Sequence, residues 1–126
     1  MKKIAPLTLL AVALGAACAG TKRSPQAYRV DTQKALETRS GQIKSCYDEL
    51  LRKDPAAAGT VTVRFVVEKQ TGAFAKAAVD PSKSTAKEPL IACVLDAIHG
   101  LELDPPDANE GQATFSYELA PSGPSM

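Results

Sequence analysis

The stretch TVTVRFVVE, Thr60 to Glu68, constrains the fold more than any other part of the chain. Val61, Val63, Phe65 and Val67 fall on one side, and Thr62, Arg64, Val66 and Glu68 on the other, which is the period of a strand with one buried face. Such a strand needs pairing neighbours and an apolar layer against its inner side. KQTG follows, with Gly72 where a hairpin turn often demands a positive φ angle, and predicts a return strand through AFAKAAVD. Near the carboxy end ATFSYEL alternates again and predicts a third strand with Ala113, Phe115, Tyr117 and Leu119 facing in.

Two helical patterns supply the covering layer. From Asp31, a possible cap, to Lys53, the residues Leu36, Ile43, Cys46, Tyr47, Leu50 and Leu51 recur largely on one face. Gly41 weakens the middle of this pattern, and the Asp54–Pro55 pair disfavours its continuation. Pro89 opens a second pattern with Leu90, Val94, Ala97, Ile98 and Leu101 as its stripe and Gly100 near its end. The expected fold is α+β, in the order α-β-β-α-β, with a three-stranded antiparallel-type sheet and both helices on one face. A right-handed crossover between strands two and three places strand one in the centre. The third strand, Ala113, Thr114, Phe115, Ser116, Tyr117, Glu118 and Leu119, is then an exposed edge.

The amino end reads as an export signal. Lys2 and Lys3 precede an apolar run from Ile4 to Leu14, then the small residues Gly15, Ala16 and Ala17, then Cys18. The run is too short to span a bilayer, which takes roughly 20 residues, and Pro6 interrupts it. LGAACAG resembles the bacterial lipoprotein signal, which implies cleavage after residue 17 and lipid on Cys18. An ordinary secreted protein, cut nearby with Cys18 lost or unpaired, is the alternative. Either way Cys46 and Cys93 remain as an even pair in an oxidising compartment, and read as one disulfide clamping the two helices. Such a bridge restricts the unfolded chain by ~4 kcal/mol in the loop-entropy picture.

Cleavage leaves about 110 residues, enough for one domain. We read 1–17 as signal peptide, 18–30 as a polar tether, 31–119 as the domain and 120–126 as a disordered tail. The tether would reach about 40 Å when straight and roughly 20 Å as a coil. The net charge of +1 becomes −1 without Lys2 and Lys3, and the remaining basic residues are scattered among acids. No clustered basic surface for nucleic acid is expected.

Catalytic chemistry finds little support. His99 is the single histidine, and no ligands occur at close metal-binding spacing, so neither a metal nor another cofactor is expected. At a helix end His99 reads as a surface residue favoured by the helix dipole. Asp104 and Asp107 flank Pro105 and Pro106 and read as a turn before they read as a hydrolytic pair. Tyr47 and Tyr117 read as core packing. No phosphate loop or nucleophile elbow is present.

The run CYDELLRKDPAAAGTVTVRFVVEKQTGAFAKAAVDPSKS, followed by LIACVLDAIHGLEL and PP, resembles the carboxy-terminal domain of TonB energy transducers, in particular the two-cysteine AgmX/PglI type associated with gliding motility. The resemblance spans about residues 31 to 119 and rests on Cys46 with Tyr47, Pro55, Gly59, the alternating strand, Gly72 and Cys93. It implies an α/β fold with an antiparallel sheet whose edge accepts an extended segment of a partner. The chain departs from a transducer in its cleavable-looking leader and short tether. The expectation is a non-catalytic, lipid-anchored envelope module in a transport or gliding-motility-type assembly, at the outer membrane facing the periplasm. Its expected partners are an envelope protein or extended peptide, and the membrane through its lipid. A structural spacer lipoprotein, or an enzyme with an unrecognised site, is the alternative.

Overall fold

In a computed structural model, the described residues are 21–121 and 123–126, with side chains described for 21–121 and 126. The leader and Cys18 therefore lie outside the described residues. Strand β1 (Gly59–Val67) pairs antiparallel with β2 (Phe74–Val79) on one side and with β3 (Gly111–Ala120) on the other. Val63 is opposite both Val79 and Phe115, so the strand with the cleanest alternation is central, as expected from the crossover rule. Val61, Val63, Phe65 and Val67 are all buried. Gly72 turns the β1–β2 hairpin at φ 73°, and a Cβ there would lie 2.1 Å from the Leu103 carbonyl oxygen. Only glycine fits that approach.

Helices α2 (Ser40–Lys53) and α3 (Leu90–Ile98) bring Ile43, Tyr47, Leu90, Val94, Ala97 and Ile98 into the core with the inner side of the sheet. Cys46 and Cys93 are disulfide-bonded, with Cα atoms 5.7 Å apart, and the bond joins the two helices. The α+β class, the antiparallel sheet and this bond agree with the sequence reading.

Three boundaries differ from expectation, each for a local reason. The chain from residue 25 is not tether but helix α1 (Pro25–Glu37): the Ala27 amide donates to Ser24 Oγ at 3.1 Å, and Pro25 occupies the first turn. Asp31 lies inside α1, so it does not cap. The single long helical pattern breaks at Thr38 and Arg39, not at Gly41. There the Thr38 hydroxyl donates to Ala35 O at 2.6 Å and the Ser40 hydroxyl to Glu37 O at 2.8 Å, while the Thr38 and Arg39 amides bond three residues back. Side-chain hydroxyls that satisfy the last carbonyls end a helix in this way.

The third difference is at the carboxy end. Residues 123–125, expected to be disordered tail, form a short strand β4 that pairs antiparallel with β3 at Glu118, Leu119 and Ala120. The sheet order is therefore β2-β1-β3-β4. Glu118 and Leu119 are not open edge, as expected from the sequence, but interior pairing positions.

Replacing Cys46 or Cys93 by serine is expected to cost about 2–5 kcal/mol, or a fall of roughly 10–20 °C in Tm for a domain of this size. The double variant should match either single one, because both remove the same bond. Calorimetry of the three variants checks this, and additive losses would contradict a shared bond.

Candidate functional site: an open strand edge beside a pinned helix

An open sheet has two edges, and here they are treated differently. On β2 the register with β1 slips between Arg64 and Val66, and the exposed Lys76 sits at φ 55°. A bulge and an outward lysine are common guards against unwanted strand pairing. The free side of β3 has neither a bulge nor a charge between Gln112 and Ser116.

Which main-chain groups of β3 are free follows from β1. Thr62 O accepts from the Asp80 amide at 2.7 Å, and Thr60 O accepts from Thr85 and Ala86, so Thr60 and Thr62 face the β2 side. By alternation Val61 and Val63 serve β3, opposite Tyr117 and Phe115. The amides and carbonyls of Gln112, Thr114 and Ser116 therefore point away from β1. Glu118, in the same phase, meets Ser125 of β4, whereas the other three have no strand partner among the described residues. Of the edge expected from the sequence, the part from Ala113 to Ser116 is open, and Gly111 and Gln112 extend it.

A groove of about 580 Å³ runs along this edge, walled by Tyr28, Arg29 and Thr32 of α1 and floored by Ala113 and Phe115. The Phe115 ring stacks on Phe65 at 6.1 Å, and Phe65 on Phe74 at 4.7 Å, so the floor continues into the core. Tyr28 lies over Gly111 so closely that an added Cβ would meet its ring at 2.5 Å. Its hydroxyl donates to Asn109 O at 3.3 Å, and burial pushes its pKa up.

The wall is held by a polar cluster. Asp107 is 1% exposed; its carboxylate accepts from the Arg23 amide at 2.9 Å, from Arg23 Nη1 at 3.4 Å and from the Asn109 amide at 2.9 Å. The Arg23 side chain, 5% exposed, also donates to Asp31 at 2.7 Å and to the Pro105 carbonyl at 2.7 Å. Burial alone would raise the Asp107 pKa, but the two amides and the guanidinium outweigh it and hold the carboxyl below its usual value. Thr21 adds a parallel bridge to Asp107, and its carbonyl accepts from the Ala108 amide at 2.8 Å. The chain is thus fastened from Thr21 onward.

Asp107 caps the bend that follows it, through the Asn109 amide, rather than the Asp104–Asp107 turn read from the sequence, and its link to Arg23, 84 residues away, has no local signal. Asp104 is exposed and does not share its site. His99 is exposed just past α3. The Tyr47 hydroxyl donates to the Ala57 carbonyl, while the buried Tyr117 hydroxyl lacks a partner among the described residues, and burial pushes its pKa to about 12. No three His, Cys, Asp or Glu side chains among the described residues are grouped to hold a metal ion. No described helix is long and apolar enough to cross a membrane.

A second carboxylate missed in the sequence is Asp80, which is 3% exposed. It caps the 3-10 turn Pro81–Lys83 through the Ser82 amide at 3.0 Å and hydroxyl at 2.7 Å, and accepts from Arg64 at 2.6 and 3.2 Å. The Asp-Pro-Ser order is a legible cap signal. The turn lies over the outer face of the sheet, where Thr62 Oγ1 donates to the Lys83 carbonyl at 2.7 Å and lies 2.7 Å from Ser116 Oγ.

Comparison with known protein families, with characterised proteins and with solved structures finds no match for this chain.

Hydrogen bonds from Ser82, then the Arg64 guanidinium, lower the Asp80 pKa to about 2. A folded value below the unfolded one stabilises the protein above the unfolded pKa, and that contribution disappears as pH falls through about 2. Asp80→Asn should lower Tm at neutral pH and flatten the decline of Tm between about pH 4 and 2. Thermal melts of both proteins across that range check the sign.

Proposed function

We propose that the protein is a non-catalytic, lipid-anchored interaction module of a bacterial cell envelope, and that an extended segment of a partner adds to the sheet along Gln112–Ser116. The observation that carries this reading is the contrast between the edges: β2 has a bulge and a lysine, whereas β3 leaves Gln112, Thr114 and Ser116 with outward main-chain groups over an apolar floor. Strand addition draws affinity from such groups and specificity from alternate side-chain pockets. An added strand would place every second side chain against Ala113, Phe115 and Tyr28. Because β4 already occupies the edge from Glu118, the partner segment is short, about five residues.

Export and lipidation rest on the order Lys2–Lys3, apolar run, small residues and Cys18. The resemblance to the AgmX/PglI type favours a transport or gliding-motility-type assembly as the setting. Both are parts of the proposal, as is the absence of catalysis.

Thr114→Pro is the direct test. It removes an outward N–H and leaves the ladder to β1 intact, whereas a change at Ser116 would also break its contact with Thr62. Capture of a partner from envelope extract should fall about tenfold, with Thr114→Val unaffected. With the captured protein purified, amide exchange at Gln112, Thr114 and Ser116 should slow on its addition. Undiminished capture by a folded Thr114→Pro variant would sink strand addition.

A further inference from the structure

The cluster around Arg23 has a consequence for where the groove sits. If residues 18–30 were a free tether, the lipid would be linked by a leash of about 40 Å, longer than the domain, and any face could meet the bilayer. The fastening of Thr21 to Asp107 and Ala108, with Arg23 locked onto Asp107, Asp31 and Pro105, ends the leash at residue 21. Only Ala19 and Gly20 separate Cys18 from Thr21, a reach of about 10 Å over the intervening peptide links.

We infer that the lipid-anchored protein presents one end of its sheet to the bilayer: the end formed by Thr21, the loop around Asp107 and the β1–β2 hairpin. These segments are joined there, since the Gln70 amide donates to Asp107 O at 3.0 Å and the Leu103 amide to Gly72 O at 2.7 Å. The opposite end, with Ala58 and Gly59, is about 30 Å away along β1. The groove reaches the near end, because Arg23, Asp107 and Asn109 are among the residues that line it. A strand donor must therefore offer its extended segment close to the membrane surface.

Charge does not drive this placement. The exposed Lys22 and Lys69 at the near end are offset by the exposed Glu68, Glu102 and Asp104. The short leash sets the orientation, so added salt should leave it unchanged. The inference rests on lipid attachment at Cys18, as proposed above.

The test uses the full chain, expressed with its leader and reconstituted in vesicles of phosphatidylethanolamine and phosphatidylglycerol carrying a nitroxide on the lipid headgroup. Fluorophores are attached at Lys69→Cys or Ala58→Cys after the Cys46–Cys93 bond has formed, and the amino-terminal mass is measured on the same material. With the diacylglyceryl mass present, quenching at position 69 should exceed that at 58 by about twofold or more, independently of salt. Twenty Gly-Ser residues inserted between Gly20 and Thr21 should remove the difference. Acylated protein with equal quenching at the two positions, or a difference that survives the insertion, overturns the orientation and leaves lipidation standing. An amino terminus without lipid overturns both.

Discussion

The pairing of β1 on both of its sides is the constraint on which the remaining structure depends. A strand whose inner side chains are Val61, Val63, Phe65 and Val67 is stable only with neighbours to absorb its main-chain groups and helices to keep water from its apolar face. β2 reaches it by a hairpin. β3 reaches it only through α3, which crosses the inner face and leaves Val94, Ala97 and Ile98 on it. The order β2-β1-β3 follows from this placement, as do the two edges.

The helix layer is fastened by two chemically different devices. α2 and α3 share apolar contacts and the Cys46–Cys93 bond, which acts chiefly by limiting the unfolded chain. α1 has a narrower apolar attachment, through Leu36 and the half-buried Tyr28, and its start is secured by Arg23 and Asp107. A buried pair of this kind adds little relative to an apolar replacement, but losing one partner costs about 3–5 kcal/mol, because the other is left charged and dry. The wall of the groove is therefore positioned by polar geometry, and the floor by packing.

Elements governed by local periodicity were legible in the sequence: the alternation at 60–68, the α3 stripe ended by Gly100, and the two cysteines on apolar helix sides. Their tertiary partners follow from the same rules. The start of α1 was equally readable in Ser24–Pro25, but the polarity of AGTKRSPQAYRV obscured it. α1 faces solvent over most of its surface and buries only Thr32 and Leu36. The Thr38–Arg39 break depends on hydroxyl bonds to the main chain that compete with Gly41 as the more conspicuous interruption. β4 was illegible for another reason: Gly123 and Pro124 carry turn character, and only the adjacent β3 edge gives them a strand to join.

For the candidate site, Ala113, Phe115, Tyr117 and Leu119 alternate inward as the sequence pattern implied, but β4 lies outside β3 from Glu118 onward. What the sequence lacked was the difference between the two edges. That difference depends on Lys76, an unremarkable residue in an alanine-rich segment, adopting a left-handed conformation where the β1–β2 register slips. It depends also on Arg23 finding Asp107 across nearly the whole domain, which sets α1 beside β3 and makes a groove where there would otherwise be only an edge. In the lipid-anchored protein proposed above, the same contact would shorten the leash between domain and Cys18. Under that proposal, access to the groove and distance from the membrane are coupled through one buried carboxylate, so a change at Asp107 alters both.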